Sequence, residues 1–302
     1  MRILIIGGSG FIGRALIKRL LETGHEVSVL SRRPQAVHLP SAVAVYPWDG
    51  RRGAPWAEVL AEMDAVVNLA GENLGAGRWT PQRKQTFLTS RVWSGEAVVE
   101  AFSLAPRKPS VLLQASAVGY YGPCGDEIIT EDAPPGKDFL AQLCVQWEAS
   151  TQPVEAWGVR RVLLRTGIVL AKDSLALKRL VLPIRWGVGG PLGSGRQWMP
   201  WIHIADQIEA MLFLLQHEQA RGPFNLTAPN PVRNADFGRT LARVMRRPFW
   251  LPVPALALRL MLGEMSTVVL DGQRAIPRRL LELGYRFKFE DLELALRDLL
   301  AS

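Results

Sequence analysis

The stretch that most constrains this chain is its first thirteen residues, Met1-Arg-Ile-Leu-Ile-Ile-Gly-Gly-Ser-Gly-Phe-Ile-Gly13. An apolar run from Ile3 to Ile6 breaks off in glycines at positions 7, 10 and 13, and a segment of helical spacing (Ala15, Leu16, Ile17, Leu20, Leu21) follows at once. The order reads as strand, tight turn, helix. Gly7 is required where the backbone reverses, Gly10 where a side chain would hold a diphosphate off the backbone, and Gly13 where the helix approaches the sheet. The free amides and partial positive charge of the helix start then favour an anionic diphosphate. Glycine triplets also close ordinary turns, but here Gly24-His25-Glu26 leads straight into a second apolar strand, Val27 to Leu30, the context a dinucleotide site needs. Gly7, Ser9, Gly10, Phe11, Ile12 and Gly13 are the expected cradle for the diphosphate.

After the second strand comes Ser31-Arg32-Arg33-Pro34, where a dinucleotide fold reads the adenosine ribose. An acid there would accept hydrogen bonds from the ribose hydroxyls of NAD. A serine and two arginines cannot, and the forked donors of arginine suit a 2′-phosphate. NADP(H) is therefore the expected cofactor. Asp64 to Leu69 reads as another buried strand ending in Asn68-Leu69-Ala70-Gly71-Glu72-Asn73, whose small residues would let a dinucleotide lie across them. Glu72 and Asn73 fit either the cofactor rim or a polar turn.

Pro81 opens a long helix through Phe102, Val111 to Ala115 is the next strand, Asp138 caps a helix expected to run to Ala156, and Arg161 to Arg165 is a further strand before Thr166-Gly167. Alternating β and α units imply crossover helices and so a parallel sheet. The expected fold is α/β, a Rossmann-type doubly wound parallel sheet with a smaller C-terminal substrate lobe. Residues 1–172 would form the NADP(H)-binding domain. Residues 173–302 would form the lobe, with excursions back into the sheet and a helical segment at 253–302.

Composition narrows the function. With 48% hydrophobic and 21% charged residues the 302-residue chain is an ordinary globular one. The net charge of +8 is spread in pairs such as Arg51-Arg52, Arg160-Arg161 and Arg246-Arg247 rather than massed in a patch, which speaks against nucleic-acid binding. Cys124 and Cys144 have no ligand spacing with the four histidines, so no metal site is expected. The first strand begins at Met1, leaving no room for a cleaved leader, and the apolar stretch Phe249 to Leu262 carries two prolines and an arginine and is too short to span a membrane. A cytoplasmic monomer or homodimer with a small-molecule substrate and no membrane partner is the expectation.

The glycine turn, Ser116-Ala-Val-Gly-Tyr-Tyr-Gly122 and Trp201-Ile-His-Ile-Ala-Asp206 together resemble the extended short-chain dehydrogenase/reductases, the group that includes nucleotide-sugar epimerases. Asn68-Leu-Ala-Gly-Glu-Asn73, Gly77-Arg-Trp-Thr80, Trp147-Glu148 and Gly189-Gly-Pro-Leu-Gly-Ser-Gly-Arg-Gln-Trp198 look more closely like an atypical subfamily, the epimerase family proteins. Members carry a small helical segment from about Val253. The resemblance implies a tyrosine that takes or gives a proton and, four residues later, a lysine whose charge lowers the tyrosine's pKa. Counting back from Glu148 puts Leu140 and Cys144 at those places, and neither can do that chemistry. What the resemblance leaves is Tyr121, matching a pocket tyrosine, and Ser116, near a substrate-orienting Ser or Thr. Both also suit plain packing. Cys144 has no histidine, lysine or arginine beside it in sequence and reads as a buried structural thiol. Asn68, Leu69, Ala70, Gly71, Glu72, Ser116, Thr166 and Gly167 would face the cofactor, and Arg196 and Trp198 would hold an anionic or planar substrate group. Two readings follow: an NADP(H)-dependent oxidoreductase or epimerase-like enzyme for a small polar, nucleotide-linked substrate, and a non-catalytic NADP(H) sensor.

Overall fold

The computed structural model describes residues 1–75 and 77–301; Ala76 and Ser302 lie outside the described residues. Seven strands, β1 (Arg2–Ile6), β2 (Glu26–Ser31), β3 (Ala44–Pro47), β4 (Ala65–Asn68), β5 (Val111–Ala117), β6 (Arg160–Thr166) and β7 (Gly222–Leu226), make one sheet in the order β7-β6-β5-β4-β1-β2-β3. Every neighbouring pair is parallel. The register places Val45, Val29, Ile5, Val67, Leu113 and Val162 in one row across six strands. Near-continuous apolar strands of this kind are buried on both faces, which is what a parallel sheet requires.

One face of the sheet packs on α1 (Phe11–Glu22), through Leu16, Ile17 and Leu20, and on a helix further along the chain, Ile204–Gln216, through Ile208, Met211 and Leu215. The other face, with Leu4, Ile6, Val66 and Leu112, packs on α2 (Ala57–Ala61) and α3 (Pro81–Leu104). Thr80 starts α3 by accepting a hydrogen bond from the Arg83 amide, with Pro81 in the first turn where its missing N–H costs nothing. Helix α4 (Phe139–Ala149) is capped by Asp138, which accepts from the Ala141 amide at 2.9 Å. It stops at Ala149, short of the expected Ala156. Pro153 disfavours α geometry at the residue before it, and the chain continues as a 3-10 turn, Gln152–Trp157.

Beyond β6 the chain builds a second core from α5 (Leu175–Arg185), α6 (the sheet-covering helix Ile204–Gln216), α7 (Asn234–Met245) and the C-terminal helix Leu292–Leu300, centred on Trp201, Phe237 and Leu296. The last fifty residues do not stand apart. Tyr285 and Phe287 insert into the core under the sheet. The buried Asp206 carboxylate accepts from the Lys288 and Phe289 amides at 2.7 and 2.9 Å. His203 starts α6, its Nδ1 accepting from the Ala205 amide at 3.1 Å while its ring lies 4.0 Å from that of Phe289.

The outer margin of β7 is sealed by side chains. Pro223 has no N–H to offer, and the Asn225 amide donates to the buried Glu131 carboxylate at 3.0 Å. The Arg279 guanidinium donates to the Pro223 and Arg221 carbonyls, each at 2.7 Å, and lies 4.4 Å from the centre of the Phe224 ring. Among the described residues no helix is long and apolar enough to cross a membrane.

Candidate functional site

Beyond the carboxyl ends of β2, β1 and β4 lies an open cavity of about 920 Å³. It sits where the strand order reverses, between β1-β2-β3 and β4-β5-β6-β7, the crevice in which doubly wound sheets hold ligands. Of the residues read from sequence, the structure brings Gly7, Ser9, Gly10, Ser31, Arg32, Arg33, Leu69, Ala70, Gly71 and Glu72 together on its walls.

The turn is built as its glycines require. Gly7 has φ +82°, and a Cβ there would stand 2.9 Å from the Leu69 carbonyl. At Gly13 a Cβ would come within 2.6 Å of the Gly7 oxygen, so its absence lets α1 start directly against the turn. Phe11, Ile12 and Gly13 form that first helical turn and do not line the cavity with side chains. Helix α1 has no side-chain cap and no acidic residue in its first turn, so its leading amides and dipole are left for an anion.

At the β2 end the Ser31 hydroxyl accepts from the Arg33 amide at 3.1 Å, holding the Ser-Arg-Arg turn. Arg32 and Arg33 are exposed, and among the described residues neither has a carboxylate within ion-pair distance. Arg14, in the first turns of α1, and Arg51 join them on the walls. Arg51 lies 4.3 Å from the centre of the Trp93 ring, and Trp48 is close by. Asp49 accepts from the Arg51 and Arg52 amides at 2.8 and 2.9 Å, and these bonds hold its carboxyl below the usual range. Sequence reading missed Arg14, Arg51, Trp48 and Trp93. The Trp48-Asp-Gly-Arg51 run after β3 was the signal available, because strand ends at this edge of the sheet open onto the same crevice.

Other expected residues are placed elsewhere. Asn68 is fully buried and spent: it donates to Gln114 at 2.9 Å and accepts from Ser94 and the Ala70 amide, bracing the end of β4 instead of facing a ligand. Ser116 and Tyr121, read as the place of proton chemistry, belong to a buried network. Ser116 donates to Glu148 at 2.6 Å, and Arg165 grips both oxygens of that carboxylate at 2.9 and 3.0 Å. The Tyr121 hydroxyl donates to Asn225 at 2.7 Å and accepts from Arg165 at 3.1 Å. Burial pushes this phenol up to about 12, so it stays protonated near neutral pH. Tyr121 therefore acts as a strut between β6 and β7, and the Arg165 guanidinium packs 3.4 Å from the centre of the Tyr120 ring.

Thr166 turns its hydroxyl to the Leu164 carbonyl within β6, and a Cβ at Gly167 would strike the Pro200 oxygen at 2.3 Å, so Gly167 serves the join to the lobe. Arg196 is exposed on the glycine-rich loop. Trp198 donates to Asp126 at 2.9 Å and lies between Arg233 and Arg274, whose guanidinium carbons are 4.7 and 4.6 Å from its ring centre. Neither lines the cavity. Cys144 is buried, and burial pushes its thiol up to about 12.

Known proteins resemble this chain in sequence and fold. The chain is similar to the epimerase family protein SAR0825 of Staphylococcus aureus (strain MRSA252), 43% identical over 99% of this chain and 98% of that one. Among solved structures it is similar to human epimerase family protein SDR39U1 (isoform 2) with NADPH, with TM-score 0.90, 35% identity and 99% of both chains covered. A UDP-glucose 4-epimerase of Thermus thermophilus in complex with NAD shares the fold at TM-score 0.78 and 20% identity, over 98% of this chain and 97% of that one. Residues 253–299 match the model of a domain of unknown function, DUF1731. With residues 3–227 matching its model, the chain belongs to the NAD dependent epimerase/dehydratase family.

Proposed function

We propose that this protein binds NADP(H) in the cavity at the strand-order reversal and transfers hydride between it and a small polar, nucleotide-linked substrate. The observation that carries the reading is the pair of exposed guanidiniums of Arg32 and Arg33 without a carboxylate partner among the described residues, at the position where an NAD site would carry an acid. Unpaired arginines at a cavity mouth favour a ligand with an extra phosphate. The uncapped, acid-free start of α1 suits the diphosphate, and the Trp93 and Trp48 rings offer flat surfaces to a base. The presence of NADPH with the human relative supports the same choice. When bound, the nicotinamide supplies or accepts hydride. The protein's part is to hold and orient the cofactor through the residues of the cavity wall.

Titrating the purified protein with NADPH and NADH tests this. NADPH should bind at least tenfold more tightly, and Arg32→Ala with Arg33→Ala should erase the difference. Equal or tighter NADH binding would reject the phosphate reading.

A second reading, a non-catalytic NADP(H)-responsive protein, is favoured by the Tyr121 hydroxyl being locked between Asn225 and Arg165 and by Leu140 and Cys144 standing where the resemblance puts tyrosine and lysine. NADPH consumption across a broad panel of carbonyl compounds separates the two readings; tight binding without turnover supports the second.

A further inference from the structure

Between α3 and α4, behind the stretch of cavity wall formed by Gly71, Glu72 and Ser90, lies a buried cation that nothing described so far employs. Arg91 and Trp147 are each 7% exposed. The Arg91 guanidinium carbon lies 4.8 Å from the centre of the Trp147 ring, and the charge sits close enough to Cys144 to act on its thiol. Two main-chain carbonyls take part of its donor set: Phe87 accepts from Nη1 and Glu72 from Nη2, both at 3.1 Å. Its other N–H groups have no acceptor, and it has no carboxylate partner, among the described residues. The buried Trp147 indole N–H likewise has no partner there. Burial draws the guanidinium down to about 10, outweighing the opposing pull of Cys144 and of the Glu72 carboxylate, which is near but not in contact.

A buried guanidinium with spare donors beside an orphaned indole N–H is costly unless an acceptor arrives. The cavity lies on the other side of a bare stretch of backbone. Gly71 is on its wall, and a Cβ at Gly71 would stand 3.1 Å from the Arg91 guanidinium carbon, so the guanidinium packs directly behind a wall residue that has no side chain. Ser90, next to Arg91 on α3, also lines the cavity, and its hydroxyl accepts from the Glu72 amide at 3.0 Å, fixing the loop that carries Gly71. Position along the sheet identifies which part of a ligand reaches here. Arg32 and Arg33 follow β2, whereas Arg91 lies past β4 on the β5 side, roughly three strand spacings or about 15 Å away. A dinucleotide whose phosphorylated adenosine rests at Arg32 and Arg33 extends its other half toward Arg91.

We infer that Arg91 and Trp147 form a donor pair that binds oxygen atoms in the nicotinamide half of the cofactor, its ribose hydroxyls or the adjoining phosphate. The assignment rests on the NADP(H) reading above. Arg91 thus brings from α3 a fixed positive charge to the spot beside Cys144, where α4 itself carries none. A substrate oxyanion has the same acceptor chemistry, and the test separates it.

Dissociation constants for NADPH and for 2′,5′-ADP, which lacks the nicotinamide half, are measured on wild type, Arg91→Met, Arg91→Lys and Trp147→Phe. The expected result is NADPH binding weakened at least tenfold in Arg91→Met and about threefold in Trp147→Phe. Arg91→Lys should recover part of the loss, and 2′,5′-ADP binding should be unchanged throughout. Unaltered NADPH affinity in a folded Arg91→Met protein overturns the proposal and leaves the pair to a substrate. Equal loss for both ligands overturns it too, since Arg91 would then merely support the cavity. Should Arg91→Met not fold, the wild-type Trp147 indole resonance, assigned by its absence in Trp147→Phe, must shift with NADPH and not with 2′,5′-ADP; no shift overturns the proposal. Wild-type protein that binds neither ligand removes the NADP(H) reading itself, an outcome distinct from a variant that binds like wild type.

Discussion

Glu148 and Arg165 form a pair whose side chains are only 9% and 5% exposed, each oxygen of the carboxylate meeting a guanidinium nitrogen. Burial weighs against the charged arginine, but hydrogen bonding and the charge of Glu148 outweigh it and hold the guanidinium above its ordinary value. Replacing one partner is worse than lacking both, because the survivor stays buried without compensation. Glu148→Gln should therefore cost about 3–5 kcal/mol of stability. Ser116→Ala, which removes a single hydrogen bond to the same carboxylate, should cost about 1 kcal/mol. Chemical denaturation checks both, and a loss for Glu148→Gln no larger than that for Ser116→Ala would show that the pair adds nothing. The residue scale is also where sequence reading was weakest. Gly7 and Gly13 were legible because each answers a local backbone demand. Arg91 beside Cys144 was not, since more than fifty positions separate them and only the packing of two helices brings them together. The packing alternative for Tyr121 was readable but its partners were not, since Asn225 and Arg165 come from distant strands.

At the scale of elements the chain announces itself clearly. The apolar runs of β1, β2, β4, β5 and β6 and the periodicity of α1, α3 and α7 were all readable, because each buries one face or both in a repeating pattern. The end of α4 was not, since Pro153 acts on the residue before it and a helical pattern runs on past that point. How α6 begins carries a consequence for pH. His203 caps that helix through a neutral ring nitrogen, and burial holds its pKa below the ordinary 6.5 despite the Asp298 carboxylate 3.3 Å from Nε2. A histidine with a depressed folded-state pKa takes up its proton more readily when unfolded. Its contribution is intact above about 6.5 and declines as pH falls toward the folded value. Thermal stability of the wild type should thus drop more steeply between pH 7.5 and 5.5 than that of His203→Asn, whose amide oxygen can still cap. Parallel curves for the two proteins would exclude His203 as the source.

The whole molecule is a sheet with two margins treated differently. At one, β3 is short and ends in Pro47. At the other, β7 is closed by Glu131, Pro223 and Arg279, the last supplied by the C-terminal segment after every strand of the sheet has been made. Arg279→Ala should leave the fold and cofactor cavity intact but increase light scattering during mild heating, because two strand-edge carbonyls lose their donor. Scattering no greater than wild type would mean the guanidinium is dispensable there. A parallel sheet offers any passing extended peptide a template on which to add itself, and in this protein part of what withdraws the offer at β7, the Arg279 guanidinium, is synthesised after every strand of that sheet. Until that residue leaves the ribosome, a nascent molecule is open to pairing with its neighbours, so the interval between making the sheet and completing its seal is when it most needs isolation from its own kind.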